Sequence, residues 1–539
     1  MSAKPAHRLQ TDIAVVGGGL GGVAAALAAL RRGRRVVLSE EYPWLGGQLT
    51  SQAVPPDEHI WVEQFGVTAS YRSLREGIRQ YYRDAYPLTD AARRDPQLNP
   101  GRGRVSRLCH EPRVALAVIT KMLAPHLSSG RLVLLQPHVP VAATTVEDVV
   151  RSVTLRHKET GRETVVEAAF VLDATETGDL LPLTGTAYVT GAEGRDETGE
   201  PSAPEHGDPA NVQSIAWCFV FDHVEGDHTI ERPEDYEHWR SLAPDFWGDA
   251  MLSFTAPSPR TLKPETRTFN VNPPYETVGT AEAHGDDPGD LDLWVFRRIA
   301  ARETFLPGSL DSDIVLANWP QLDYLGGSVI DTPDRDAHLR AAKAQSRSFV
   351  YWLQTEAPRP DGGTGWPGLR LRGDVVGTDD GFAQAPYIRE SRRIRARRTV
   401  VEQDVAVAVR GHGGPAAFED SVGVGMYRID LHPSTGGDNY IDVECAPFEI
   451  PLGALVPVAT QNFLPAAKNI GTTHITNGAY RLHPVEWNIG ESAGELAAFC
   501  LDRSLTPADV HSKPELVRRF QAVLVEAGIE IHWPEIIGY

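Results

Sequence analysis

The sequence has little cysteine, no long apolar run and a deficit of positive charge. Four cysteines are scattered through 539 residues, and none forms a C-x-x-C pair, so we expect neither a disulfide framework nor a metal site. No apolar run is long enough to cross a bilayer, and the opening "MSAKPAHRLQ" contains no apolar signal segment. These absences predict a cytoplasmic protein with no membrane partner.

The shortage of basic residues also limits the partners. Asp and Glu outnumber Lys and Arg by 72 to 52, which gives a formal net charge of -20. Binding to nucleic acid is driven by positive charge, so we expect no nucleic-acid partner. A content of 41% hydrophobic and 23% charged residues is ordinary for a globular protein. A small-molecule substrate therefore remains the expected partner, and the oligomeric state stays open.

Glycine is abundant, and its most informative cluster lies near the amino terminus. Residues 12–41, "DIAVVGGGLGGVAAALAALRRGRRVVLSEE", predict a strand, a turn, an Ala/Leu-rich helix and a second strand. Gly17, Gly19 and Gly22 have G-x-G-x-x-G spacing, which allows a tight turn, close approach of a pyrophosphate and close helix–strand packing. Glu40 ends the second strand, where a carboxylate can accept hydrogen bonds from a ribose diol. The unit predicts a dinucleotide site.

The segments that follow favour FAD over NAD. Gly46, Gly47 and Gln48 begin "GGQLTSQ", whose small and polar residues suit a loop folded against a bulky cofactor. The runs "VVRSVTLRHK" and "ETVVEAAFVLDAT", joined by "ETGR", predict a β-meander that returns to the parallel sheet. Ala174 and Thr175 follow its last strand at the carboxyl end, which is the ligand-facing end of such sheets.

Five segments in this order resemble the FAD-dependent oxidoreductase family with the glutathione-reductase-type FAD-binding fold, near the group of fumarate reductases and related flavin dehydrogenases. They are the unit from Gly17 to Glu40, "LGGQLTSQ", "DATETGD", "YIRESRRI" and "NFLPAAKNIGTTH…YRLHPVEWNIGESAG". The resemblance implies FAD as cofactor and a fold of class α/β: a Rossmann-like FAD-binding domain with a β-meander, plus an inserted α+β substrate domain.

The resemblance also assigns the cofactor contacts. It implies that the three glycines and Glu40 contact pyrophosphate and ribose, and that Gly47 and Gln48 pass near the pyrophosphate or flavin. It places Val139, in the strand after the connecting helix, against adenine. It implies that a last helix starting near Gly490 and Glu491 directs its amino terminus at the flavin pyrimidine. The remaining expected cofactor contacts are Gly46, Ala174 and Thr175. Many relatives have Gly-Asp where Ala467-Lys468 stands here.

The domain boundaries follow from these segments. We expect the FAD-binding domain at residues 1–190 and again at 455–510, separated by a substrate domain at 191–454. Residues 511–539 are expected to form a carboxy-terminal helix and tail.

Oxidation of a C–H bond by flavin requires a group that removes the accompanying proton, and imidazole suits this role near neutral pH. His483 and His474 flank the second flavin segment and are the first candidates, followed by His432. In "YIRESRRIRARR", the resemblance implies that Arg389 or Arg392 points inward to anchor a carboxylate or stabilise reduced flavin. Arg395, Arg397 and Arg398 are expected on a solvated helix face.

The main functional hypothesis is an FAD-dependent dehydrogenase or oxidase that takes hydride from a C–H bond next to O or N of a small polar organic substrate. Oxygen or an unidentified molecule would accept the electrons. One alternative is an NAD(P)H-dependent flavin monooxygenase. Another is a non-catalytic FAD-binding interaction protein.

Overall fold

A computed structural model describes residues 7–274, 292–411, 414 and 416–534 of the chain. The amino-terminal segment contains β1 (His7–Val16), α1 (Leu20–Arg31), β2 (Val36–Ser39), α2 (Ala69–Ala85), α3 (Asp90–Arg94), α4 (Pro112–Ser128), β3 (Leu132–Leu135), β4 (His138–Val146), β5 (Val149–His157), β6 (Glu163–Asp173) and α5 (Leu180–Thr184).

The middle segment has mostly short elements. They are β7 (Tyr188–Val189), α6 (Arg195–Thr198), β8 (Ile215–Ala216), β9 (Phe219–His223), α7 (Tyr236–Ser241), β10 (Thr255–Pro257), β11 (Pro264–Thr266), α8 (Leu293–Phe296), β12 (Arg298–Ala300), β13 (Ile314–Ala317), β14 (Asp323–Tyr324), α9 (Arg335–Thr355), β15 (Leu369–Leu371), α10 (Gly373–Val376), β16 (Arg393–Ile394), α11 (Glu402–Val405), α12 (Val407–Arg410), β17 (Ser421–Gly425), β18 (Ile429–Leu431), β19 (Ile441–Val443) and β20 (Phe448–Pro451).

The carboxy-terminal segment returns to the nucleotide-binding unit. Its elements are β21 (Phe463–Pro465), α13 (His474–Tyr480), α14 (His483–Arg503), α15 (Pro507–Ser512) and α16 (Pro514–Glu526).

One seven-stranded sheet organises the molecule. Its order is β3-β2-β1-β6-β5-β4, and β21 also pairs with β6. The pairs among β3, β2, β1 and β6, and the pair of β6 with β21, are parallel, whereas β4, β5 and β6 form an antiparallel meander. The predicted class, α/β with a Rossmann-like sheet and a β-meander, is confirmed.

One edge of strand β6 pairs with two different strands. Its first half pairs with β5 and its last three residues pair with β21. Between them, the Asn462 side chain bonds the backbone of Val150 at 2.8 Å in both directions and donates to the Ala169 carbonyl at 2.9 Å. A single amide side chain thereby satisfies backbone groups at the point where the pairing partner changes.

Helix α1 is buried almost completely because it lies between the sheet and α14. Its residues from Leu20 to Leu30 are all buried, and small side chains permit this close approach. An added Cβ at Gly490 or Gly494 of α14 would lie 2.0 and 2.3 Å from the carbonyl oxygens of Gly21 and Ala25 in α1.

The middle segment contains small antiparallel sheets. The largest has the order β12-β13-β9-β15, and its core is aromatic: Phe221 and Phe269 contact the rings of Trp294 and Trp319. Among the described residues, no helix is long and apolar enough to cross a membrane.

Candidate functional site

The glycines after β1 have two different structural roles. Gly17 has φ +99°, and a Cβ there would lie 2.2 Å from the Ala174 carbonyl oxygen. A Cβ at Gly22 would lie 1.9 Å from the carbonyl oxygen of Gly17. These two glycines therefore allow β1, α1 and the end of β6 to meet.

Gly19 instead lines a cleft, and the atoms nearest to an added Cβ belong to side chains. Within the described residues, an added Cβ would have only two neighbours within 4 Å, the carboxylate oxygens of Glu176 and Glu486. Gly19 is also the N-cap of α1, so backbone N–H groups and the positive end of the helix dipole point into this space. The Glu486 carboxylate accepts a hydrogen bond of 3.3 Å from Gly21 N–H, which shows that this helix end holds an anion.

A cleft extends from the glycine loop along the carboxyl ends of the parallel strands. Its lining residues are Val16, Gly17, Gly19, Glu40, Glu41, Tyr42, His138, Pro140, Ala174, Thr175, Glu176 and Asp179. Four expected cofactor contacts besides Gly19 are thus brought to one cleft: Gly17, Glu40, Ala174 and Thr175.

Glu40 ends β2 at this cleft. Its carboxylate accepts hydrogen bonds from Gly18 N–H at 2.7 Å and Tyr42 N–H at 2.9 Å. Burial raises the pKa of Glu40 to about 8. The backbone contacts fix the direction of the carboxyl group, and its remaining lone pairs face the cleft.

Val139 lies elsewhere than expected. The strand directly after the connecting helix α4 is β3, whereas Val139 belongs to the next strand, β4, where it is paired with Arg156. Gln136 and Pro137 separate the two strands that follow α4. The neighbours of Val139, His138 and Pro140, line the cleft.

The loop after β2 packs on the glycine loop. Gly46 N–H donates to the Gly18 carbonyl at 2.7 Å, and a Cβ at Gly47 would lie 2.9 Å from Gly19 Cα. The Gln48 amide donates to the Arg481 carbonyl at 3.0 Å and to Glu486 at 2.6 Å. This loop therefore connects the glycine loop to the beginning of α14.

The expectation for Gly490 and Glu491 is wrong. Helix α14 begins at His483, with Pro484 in its first turn, so Gly490 lies in the helix interior and permits packing on α1. Glu491 bonds Arg31 at 3.1 Å and Ser70 at 2.5 Å. The amino terminus of α14 instead presents His483 and Glu486.

His432 and Arg389 converge on one buried carboxylate. His432 Nδ1 lies 2.7 Å from Asp323 Oδ2, and an Arg389 nitrogen lies 2.9 Å from Asp323 Oδ1. Asp323 is fully buried, whereas the His432 side chain retains 18% exposure. His432 Nε2 lies 3.9 Å from the Asp430 carboxylate. Asp323 therefore orients the imidazole through Nδ1, and the side chain as a whole stays partly exposed.

A chain of polar contacts joins this pair to the Gln48 loop. Tyr387 OH donates to the Gln48 amide oxygen at 3.2 Å and lies 3.4 Å from Arg481. Arg481 in turn bonds the Asp430 carboxylate at 3.2 Å, two residues before His432. Burial alone would raise the pKa of Asp430, but neighbouring positive charges, among them the Arg481 guanidinium, outweigh burial and lower the pKa.

His483 is held as a neutral imidazole. Its Nδ1 accepts a hydrogen bond of 3.0 Å from Asp57 N–H, so Nε2 carries the proton. Burial lowers the pKa of His483 to about 3. Within the described part of the chain, Nε2 has no hydrogen-bond partner. His483 can donate a hydrogen bond but is poorly suited to accept a proton.

His474 belongs to a buried ion-pair network. Its Nδ1 lies 3.0 Å from both carboxylate oxygens of Glu390, and Glu390 also bonds Arg393 at 2.6 Å. Burial would lower the pKa of His474, but Glu390 outweighs burial and raises it. The same contacts lower the pKa of Glu390 to about 2, against the effect of its burial. A charged His474 cannot take a proton from a substrate.

The arginine-rich segment, residues 387–398, is extended and not helical, and two of its residues form strand β16. An extended chain turns Arg389, Arg392 and Arg393 into the interior, whereas Arg395, Arg397 and Arg398 are exposed as expected. Arg392 bonds Asp331 and Asp179 at 2.8 and 3.1 Å.

Sequence reasoning missed several residues of this region. They are Asp57, Glu176, Arg297, Asp430, Arg481 and Glu486. The contact of Asp323 with His432 spans 109 residues of chain, and no local pattern signals it. Glu176 carried a weak signal, because it stands in "DATETGD" at the ligand-facing end of β6.

Fold and site together define a dinucleotide-binding flavoprotein. The fit rests on three observations: a position at Gly19 where an added Cβ would contact only side chains, a helix terminus that already holds a carboxylate, and a cleft along the strand ends. The profile of the family described as FAD dependent oxidoreductase matches residues 12–524. The chain belongs to this family, and it is an enzyme with FAD as cofactor.

Individual relatives are distant. A carotenoid phi-ring synthase from Streptomyces griseus is 34% identical over 102 residues, which span 19% of this chain and 17% of that protein. A geranylgeranyl bacteriochlorophyll reductase-like protein from Thermoplasma acidophilum is 10% identical, with 97% of this chain and 85% of that chain covered at a TM-score of 0.31. Anhydrotetracycline hydroxylase from Streptomyces rimosus is 14% identical, with 96% of this chain and 67% of that chain covered at a TM-score of 0.30.

Proposed function

We propose that this enzyme oxidises a small polar organic molecule by transfer of hydride from a C–H bond next to O or N. Bound FAD supplies the hydride acceptor, and oxygen or another molecule reoxidises it. The observation that carries the proposal is the pair of His432 and Asp323, in which Nδ1 contacts the buried carboxylate at 2.7 Å and the imidazole side chain keeps 18% exposure.

The proposed placement of FAD is of the glutathione-reductase type. Gly17, Gly19 and Gly22 form the pyrophosphate turn, and Glu40 receives the adenosine ribose. Ala174 and Thr175 line the adenosine side, and the loop of Gly46, Gly47 and Gln48 leads toward the flavin. This placement is supported by the cleft along the strand ends and by the packing of the second loop on the first.

His432 is the proposed general base. Its Nδ1–H donates to Asp323, which leaves the lone pair of Nε2 to take a proton from a substrate O–H or N–H as hydride leaves the adjacent carbon. Asp323 orients the ring and stabilises the imidazolium that forms. His474 and His483 are less suitable, because one is held charged and the other donates from Nε2.

The substrate's polar groups would meet buried cations. Within the described residues, the Nε atoms of Arg297, Arg389 and Arg481 are buried without a hydrogen-bond partner. Burial of an unsatisfied donor costs about 1–3 kcal/mol, so a ligand that supplies acceptors here would gain affinity. Alcohols, hydroxy acids and amines with anionic or carbonyl groups fit this lining.

The experiment is anaerobic stopped-flow reduction of the flavin after a screen of such compounds. In His432→Asn, we expect FAD to stay bound and the reduction rate to fall by roughly two to four orders of magnitude. Asp323→Asn should lower the rate and shift its pH profile. His511→Asn, at a half-buried histidine that lies 3.7 Å from the Asp420 carboxylate, is the matched control.

A normal reduction rate in His432→Asn would contradict the assignment of the base. Fast bleaching by NADH or NADPH alone would contradict the proposed reaction, because a pyridine nucleotide would then be the electron donor.

A further inference from the structure

A buried charge cluster, formed by Glu176, Lys468 and Glu486, lies over the glycine loop. Lys468 Nζ contacts Glu176 at 2.5 Å, and its side chain is 1% exposed. Glu176 lies between the two glycine loops, since added Cβ atoms at Gly19 and Gly47 would lie 3.2 and 3.0 Å from its carboxylate oxygen. Glu176 follows β6, whereas Lys468 lies 292 residues later in the segment between β21 and α14.

The second carboxylate occupies the helix terminus itself. Glu486 accepts from Gly21 N–H at 3.3 Å and from the Gln48 amide at 2.6 Å. Burial raises the pKa of Glu486, and Lys468 partly offsets this rise. Burial would lower the pKa of Lys468, but Glu176 and Glu486 outweigh burial and raise it. Lys468 is therefore a charged, buried ammonium beside two carboxylates.

These carboxylates lie where the pyrophosphate of FAD must pass. A pyrophosphate at the G-x-G-x-x-G turn needs the space beside Gly19 and the N–H groups at the start of α1. The carboxylates of Glu176 and Glu486 lie in that space, and Glu486 also accepts a hydrogen bond from one of these N–H groups. Carboxylate and phosphate oxygens that approach the same N–H groups repel each other strongly in a buried site. The carboxylates and a pyrophosphate therefore cannot both contact Gly19 and the start of α1.

We propose that Glu176, Lys468 and Glu486 form a charge-exchange site, in which the pyrophosphate displaces both carboxylates from the glycine loop and takes Lys468 as its counter-charge. Lys468 thus acts on the pyrophosphate. The inference requires only the FAD cofactor and is independent of the proposed hydride transfer.

The test measures ligand binding and not turnover. The full chain is stripped of flavin and titrated with FAD, with ADP, which retains the pyrophosphate, and with adenosine, which lacks it. Glu486→Gln should bind FAD and ADP roughly tenfold more tightly, because a competing anion is removed. Lys468→Met should bind both roughly ten- to a hundredfold more weakly, since charge-assisted hydrogen bonds are lost. Adenosine affinity should stay unchanged in both variants.

A double variant separates the proposed role from a structural one. If Lys468 serves only to neutralise Glu176, then Lys468→Met with Glu176→Gln restores wild-type affinity for ADP. If Lys468 contacts the pyrophosphate, ADP binding stays weak in the double variant, which also avoids an unpaired buried charge. Lys468→Arg should restore part of the affinity. Lys343→Met, which removes a half-buried lysine paired with Asp380 at 2.7 Å, is the control.

The proposal requires both effects. Wild-type ADP affinity in the double variant would overturn it, and so would unchanged or weaker binding of FAD by Glu486→Gln.

Discussion

At the scale of single residues, the glycines of the G-x-G-x-x-G motif differ in the atoms that an added side chain would contact. Gly22 faces the Gly17 carbonyl oxygen at 1.9 Å, and Gly19 faces only the ends of two glutamate side chains. Backbone cannot move aside cheaply, whereas glutamate side chains can. The motif assigns the approach of a pyrophosphate to Gly19 and helix–strand packing to Gly22, and the atoms around the two positions are consistent with that division.

This difference predicts opposite outcomes for two substitutions. Gly19→Val should fold normally but lose FAD, because the valine side chain occupies the approach of the pyrophosphate. Gly22→Val should reduce the soluble, folded yield, since its Cβ overlaps a carbonyl oxygen. Circular dichroism and flavin absorbance of the purified proteins would distinguish them. Full FAD occupancy in Gly19→Val would contradict the proposed cofactor site.

The ion pair of His474 and Glu390 predicts a pH-dependent contribution to stability. The pKa of His474 is raised above its ordinary value of 6.5, so its contribution is complete below that pH and is lost as pH rises through the folded-state pKa. His474→Gln should destabilise the protein by about 3 kcal/mol near pH 6, the cost of breaking a buried pair, and by less in alkaline solution. Urea denaturation of wild type and variant at several pH values measures this difference. A pH-independent difference would contradict it.

At the scale of elements, strong local patterns were sufficient for the first strand–helix–strand unit and for the meander strands β5 and β6. Contacts distant in sequence were not predictable. The start of α14 at His483 was missed because its N-cap, Leu482, has no polar capping side chain. In "YIRESRRI", one of Arg389 and Arg392 was expected to point inward, but both are buried, and the burial of Arg393 was missed. Tertiary ion pairs stabilise this extended segment, which has no apolar periodicity that would signal burial.

Packing of α14 on α1 gives a prediction for Gly490. Gly490→Ala should lower the free energy of unfolding by about 1–3 kcal/mol, typical of overpacking, because the added methyl group lies 2.0 Å from the Gly21 carbonyl oxygen. FAD affinity should fall as well, since Gly21 also supplies an N–H at the helix terminus. Denaturant unfolding and FAD titration test this. Ala497→Ser, farther along the same buried helix, is a comparison variant for general loss of packing.

At the scale of the whole molecule, the nucleotide-binding unit is completed by two segments far apart in the chain. Strand β21 extends the sheet beside β6, and α14 covers α1. The proposed division of the chain at residues 190 and 455 follows this return. Each part alone exposes apolar surface that the other covers.

A chain ending at residue 454 should therefore fail to hold FAD and should aggregate. The loss of β21 uncovers an edge of β6, and the loss of α14 uncovers one side of α1. Size-exclusion chromatography and flavin absorbance measure both effects. A chain ending at Pro534 retains every described element and is the control. FAD bound by the shorter chain would contradict this account of the fold.

The switch of pairing partners along β6 also has a consequence for biosynthesis. When β6 leaves the ribosome it can pair at once with β1 and β5, but β21 follows about 290 residues later. At a translation rate of roughly 5–20 residues per second, the last residues of β6 stay unpaired on this edge for on the order of tens of seconds. The nascent chain thus has a long interval in which a chaperone can bind, and cofactor loading follows translation.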